Sequence, residues 1–280
     1  MNPDNRFYNL KLDFWANIRT ISEGIRYSGK ENLILIPSIN DIKKTFSRRR
    51  LDYSHVVDNL DQLSDFGRLL ISYLEFRANI LNNFVEKSLM DIGQAKSVFE
   101  ELRETLNPTC PIPMNRQKGT KKAPAYFTGI INMIIEANSK QLRFDYNPRQ
   151  LTIFTKDNKP LRTSSRKIYG AFPSSINPVS IWEIKEYYYS TTFGHRISDG
   201  FYESLLDGME LEELRINEKI EVMHLLMVDS HYTWWVMGKA YLCHMIDMLH
   251  MGYVDKILFG NEVVEKLPDI VKGWIELVNN

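Results

Sequence analysis

Apolar residues recur at helical spacing along the first third of the chain. Between residues 10 and 27, Leu10, Phe14, Ile18, Ile21 and Ile25 share one face, and Gly29 follows as a stop. Ser38 is placed to cap a short helix running into Ser47-Arg48-Arg49-Arg50. From 56 to 106 the helical pattern returns, carried by Leu60, Leu63, Phe66, Leu70, Leu74 and Phe76, then by Ile80, Leu81, Phe84, Val98, Phe99 and Leu102. Gly93 predicts a break near its end and Pro108 closes it. Residues 1–110 thus read as a helical N-terminal region. After residue 126 the period changes. Residues 126–140 form an apolar helix with Glu136 in its C-terminal half, and short strands are predicted at 142–146, 151–155 and 167–172. Asn147-Pro148 and Asp157-Asn158-Lys159-Pro160 separate them as turns. A central strand at 179–189, a helix at 194–206, a buried strand at 221–229, a helix at 234–249, a strand at 254–259 and a helix at 263–278 complete the pattern. The fold class is α/β, with a second region at 126–280.

Between the two regions, residues 111–125 read as a linker. Prolines and Gly119 surround the basic cluster Arg116, Lys118, Lys121 and Lys122, which suits either a solvated loop or a grip on a phosphate backbone. The whole chain has 35 basic and 35 acidic residues, so a nucleic-acid site has to be a local patch. Two distant cysteines, Cys110 and Cys243, argue against a zinc module and a disulfide framework and predict a reduced, cytoplasmic setting. The first twelve residues lack a signal-peptide core, and no later run reaches the ~20 apolar residues of a membrane span. No membrane partner is expected.

The strand at 179–189 carries the candidate chemistry. Its sequence is Val179-Ser180-Ile181-Trp182-Glu183-Ile184-Lys185-Glu186-Tyr187-Tyr188-Tyr189, in which Glu183 and Lys185 project on the face of Val179 and Ile181. Burying that pair beside aliphatic side chains is unfavourable unless the charges meet each other or a ligand. A solvent-facing pair on an edge strand is the plainer alternative, opposed by the apolar residues on both faces.

This Glu-x-Lys strand, with the helix and strand that follow it, resembles the PD-(D/E)XK nuclease superfamily, the fold of most type II restriction endonucleases. About the last 160 residues carry the resemblance. It implies a mixed central sheet flanked by helices and a metal-dependent endonuclease acting on double-stranded DNA. By that resemblance Glu183 holds Mg2+, with Mn2+ an alternative, and Lys185 lies near the attacking water and the developing phosphorane charge. Hard oxygen ligands suit such an ion, and a neighbouring ammonium stabilises transition-state charge. Two symmetric active sites on a palindrome imply a homodimer. Arg166, Lys167, His195 and Arg196, with the linker cations, are expected to contact DNA.

The superfamily pattern also calls for an Asp ten to thirty residues before the Glu, yet residues 158–182 contain no acid. Tyr169, before Gly170, stands nearest that position, and a phenol stays protonated at neutral pH. Glu136 and Asp157 are the candidate replacement metal ligands, while Asp199 reads more simply as a local cap. A nuclease-fold subunit that binds DNA or a partner without cutting is the alternative function, and a helical partner-binding protein is a third. Asp229-Ser230-His231 reads as a strand-to-helix turn, not a nucleophile relay. His244, Asp247 and His250 read as a polar helix face, and the tyrosines and tryptophans as packing or base-stacking groups. No Walker or Rossmann glycine pattern occurs.

Overall fold

The computed structural model describes residues 1–29, 32–115, 119 and 122–279. Helix α1 (Leu12–Ile25) buries Phe14, Ile18 and Ile21, which belong to its predicted apolar face, and Trp15 beside them. Ser38 caps α2 (Ile39–Arg48) in a reciprocal capping box with Asp41. Both pack with α3 (Asp65–Ile80) around one apolar cluster that includes Leu70, Tyr73 and Leu74. Residues 56–64 depart from the expected helix. They form an irregular link in which Val57 and Leu63 make an isolated bridge and Ser64 caps α3 by accepting from the Gly67 N–H. Helix α3 continues through a π-helical turn (Leu81–Val85) into the single turn α4 (Glu86–Ser88). The break then falls at 89–91, because Asp91 caps α5 (Ile92–Leu106) and leaves Gly93 inside it.

Helix α6 (Tyr126–Asn138) precedes β1 (Asp145–Tyr146), the hairpin β2 (Ile153–Lys156) and β3 (Lys159–Thr163), then β4 (Gly170–Phe172) and β5 (Ser180–Glu186). The turn between β2 and β3 is legible in the sequence. Strand β3 is not, since Lys-Pro-Leu-Arg-Thr carries no apolar alternation and, among the described residues, pairs only with β2. Helix α7 (His195–Glu218), β6 (Met223–Asp229), a π-helical turn (Tyr232–Met237), α8 (Lys239–His250), β7 (Lys256–Phe259) and α9 (Glu262–Asn279) follow. Helix α7 runs twelve residues past the end predicted for it at 206. Gly208 interrupts the apolar pattern there without stopping the helix, because it lets α7 lie against the Tyr253 carbonyl, which a Cβ would meet at 2.2 Å.

Among the described residues five strands make a mixed sheet in the order β1-β4-β5-β6-β7. Strands β1, β4 and β5 pair antiparallel, whereas β6 and β7 run parallel to β5. Helices cover both faces, so the fold is α/β. Trp182 and Ile184 of β5 join Leu225, Met227 and Leu258 in a core with residues of α5, α6 and α9. On the opposite face Leu226, Val228, Ile257 and Phe259 pack with α8 and the end of α3, while Ile181 packs on α7. The N-terminal helices are keyed to this second layer. Arg77 of α3 pairs with Asp247 of α8 at 2.8 Å, both buried, and Tyr73 donates to the same carboxylate at 2.7 Å. Among the described residues no helix is long and apolar enough to cross a membrane.

Candidate active site

Alternation along β5 places Glu183 and Lys185 on the α7 face, and six of its seven residues are buried. Both charged side chains are at most 1% exposed, and Lys185 Nζ donates to Glu183 Oε2 at 3.0 Å. The pair is therefore internal and not a solvent-facing edge. Glu183 has further donors. Arg166, in the loop after β3, donates to its two oxygens at 3.2 and 2.7 Å, and the Tyr169 backbone N–H donates at 3.2 Å.

The Arg166 guanidinium is clasped on its other side by α7. Glu203 accepts from it at 3.1 Å, and Asp207 lies 3.4 Å away. Burial opposes its charge, but Glu183, Asp207 and Glu203 together hold its pKa above the ordinary value. Asp207 is 3% exposed, and although Arg166 is within ion-pair range, neither carboxylate oxygen makes a hydrogen bond among the described residues. Burial and then the Glu183 carboxylate push Asp207 well above the usual carboxylate range, against Arg166 and Lys185. His224 of β6 completes the chamber. Its Nδ1 meets the Tyr253 carbonyl at 2.8 Å, its Nε2 has no hydrogen-bond partner among the described residues, and burial lowers its pKa.

The other sequence-derived ligands lie elsewhere. Glu136 turns its carboxylate to the backbone N–H and the hydroxyl of Thr109, and these and Cys110 lower its pKa against the effect of burial. Asp157 sits in the β2–β3 turn with a positive φ of 51°. The structure does not gather these two with Glu183, and among the described residues no three His, Cys, Asp or Glu side chains are arranged to hold a metal ion. Arg166, expected on a phosphate backbone, is an internal counter-ion with a 16% exposed side chain. Lys122, Lys167, His195 and Arg196 are exposed, whereas Arg116, Lys118 and Lys121 lie outside the described residues.

Sequence reading missed Glu203, Asp207 and His224. Asp207 falls on the inner stripe of α7 with Gly200, Ser204, Leu211 and Leu214, a signal hidden by ending the helix at 206. His224 faces inward by simple alternation between Val222 and Leu226. Asp229 turns inward as well, accepting from the Met90 and Ser230 N–H groups and from the Tyr188 hydroxyl, while Ser230 caps the next turn through the Thr233 N–H. Burial raises the Asp229 carboxyl to about 7.

On the opposite face of β5 a cleft of about 690 Å³ opens between α6, the β1–β4 edge and the Tyr187–Tyr189 segment. Tyr169 belongs to both places. It lines the cleft, while its ring centroid lies 5.6 Å from Lys185 Nζ.

The chain belongs to the family described as Domain of unknown function (DUF7687), which matches residues 90–274. Residues 1–84 match a second family, Domain of unknown function (DUF7690). The junction falls at the π-helical turn and α4, so α5 goes with the sheet, whose core its Ala95 and Phe99 share. No curated protein and no solved structure gives a significant match to the chain.

Proposed function

We propose that the chain is a metal-dependent DNA endonuclease of the type II restriction kind, built on a PD-(D/E)XK core. One observation carries this reading. The order α6–β1–β4–β5–α7–β6, with three antiparallel strands followed by a helix and a parallel strand, puts Glu183 and Lys185 on the third strand of the run, an order that supports reading the sheet as restriction-endonuclease-like. The start of β4 then lies beside Glu183, where the superfamily keeps its Asp and this chain has Tyr169.

The donor chemistry fits magnesium with a different second acid. Such an ion needs only one or two carboxylates, with water and phosphate oxygens completing its shell. Glu183 and the unpartnered oxygens of Asp207 would supply them, in the place where Arg166 now neutralises both. The ion would acidify water and offset charge on the phosphate. Lys185, held between Glu183 and the Tyr169 ring, supplies a fixed positive charge beside the reacting phosphate. Lys167, His195 and Arg196 would meet the DNA backbone, and a homodimer would cut both strands of a palindrome in the cytoplasm.

A second reading has its own observation. Arg166 already neutralises Glu183 through two hydrogen bonds, which suits a nuclease-fold subunit that binds DNA without cutting it. Incubating supercoiled plasmid with Mg2+ or Mn2+ separates the two. Nicking or linearisation by the wild type, lost in Asp207→Asn and Lys185→Ala, supports the nuclease. DNA retention without cleavage under either metal supports the binding subunit, and no retention at low salt defeats both.

A further inference from the structure

The cleft on the α6 side of β5 presents a recognition group to solvent. Asn132 of α6 lines it and is 4% exposed, and its side-chain amide, which makes no hydrogen bond among the described residues, is not sealed from the cleft. An amide that opens on a cleft is placed to meet a ligand's donor and acceptor together. Half-buried tyrosines Tyr146, Tyr187, Tyr188 and Tyr189 contribute to the walls.

The rim adds charge of one sign. Arg149, Lys167 and Arg196 line the cleft, are exposed, and form no ion pair among the described residues. The acid in the lining, Glu186, is committed to the start of α6. Its Oε2 accepts from the Thr128 N–H at 3.0 Å and the Thr128 hydroxyl at 2.8 Å. The cleft of about 690 Å³ also lies within the range usual for small-molecule sites.

We propose that this cleft binds one nucleotide, its base on the Asn132 amide and the tyrosine walls, its phosphate on Arg149, Lys167 and Arg196. An amide offers a hydrogen-bond donor and acceptor side by side, the pair that adenine presents, so adenine is the preferred base. Aromatic walls suit any base by stacking, and rim cations suit a phosphate. The nucleotide arrives either free or extruded from a DNA strand. The second source rests on the nuclease reading, since Tyr169 then separates the captured nucleotide from Glu183 and Lys185.

Binding is measured with wild-type protein in EDTA, so that cleavage plays no part. One arm titrates deoxyadenosine monophosphate by calorimetry. The other follows 2-aminopurine emission in a single-stranded and a duplex dodecamer. The expected result is binding in at least one arm that weakens tenfold or more in the rim variant Arg149→Ala, which the DNA-backbone contacts proposed above do not include, and in Asn132→Leu, with emission quenched where a strand supplies the base. The rim variant alters only an exposed side chain, and decides the matter if Asn132→Leu does not fold. No binding in either arm, or affinity unchanged in the rim variant, overturns the proposal. Because plasmid cleavage is scored separately, nucleotide binding without cutting defeats the nuclease reading alone, and cutting without nucleotide binding defeats this one alone.

Discussion

Replacing Arg166 with alanine removes the guanidinium that ties β5 to α7. Two charge-assisted bonds to Glu183 are lost, at 3.2 and 2.7 Å, from an acceptor with no solvent exposure. Such bonds contribute about 1.5–3 kcal/mol each, and breaking one side of a buried pair typically costs about 3–5 kcal/mol. Two features reduce that figure. Glu183 keeps Lys185 at 3.0 Å and the Tyr169 N–H at 3.2 Å. The contact with Glu203 adds little, because that carboxylate is 50% exposed. The expected loss is therefore about 2–4 kcal/mol. Arg162→Ala provides the internal comparison. It removes a 2.7 Å pair with Glu213, which is 58% exposed, and should lower stability by about 0–1 kcal/mol. Urea unfolding of wild type and both variants, followed by tryptophan fluorescence, gives the two differences. A double-mutant cycle with Glu183→Gln should return a coupling of about 1–3 kcal/mol. If Arg166→Ala costs no more than Arg162→Ala, the guanidinium does not hold the Glu183 charge, and the electrostatic account of the chamber fails.

Three further outcomes are expected. Arg77→Met leaves Asp247 buried without its counter-ion and should destabilise by about 3–5 kcal/mol in urea unfolding, with faster amide exchange across α3 and α8. Asp229 has a folded pKa of about 7 against about 3.9 unfolded, so its contribution is fully present below pH ~4 and is lost as pH rises through 7. Thermal melts should show wild-type stability falling across that window, with a flatter profile in Asp229→Asn. Gly208→Ala puts a Cβ 2.2 Å from the Tyr253 carbonyl oxygen and should cost about 1–3 kcal/mol, whereas Gly194→Ala, with open space around it, should change stability by less than about 1 kcal/mol.

Periodicity made most of the elements legible, since strongly apolar helices and strands declare themselves locally. Helix α1 and strand β6 follow their apolar residues closely. What stayed hidden depends on contacts between distant segments. Strand β3 exists through pairing with β2 and through no pattern of its own. The extension of α7 past 206 is stabilised by burying Leu211 and Leu214 against Ile181 and Val222, partners that local spacing cannot name. At the site, alternation alone was enough to put Glu183 and Lys185 on one face. Their surroundings were not legible, because Arg166 comes from a loop and Asp207 from a helix, and tertiary folding brings both to β5. Glu136 was a reasonable acid by position on α6, but α6 turns that residue toward Thr109.

Single-turnover cleavage of a radiolabelled duplex under increasing Mg2+ tests the central claim most directly, with wild type, Lys185→Met and Glu183→Gln compared after circular dichroism has shown each to be folded. Metal-dependent cleavage by wild type, reduced by at least about a hundredfold in both variants, is the predicted result. Cleavage that persists undiminished in folded Glu183→Gln and Lys185→Met would contradict it.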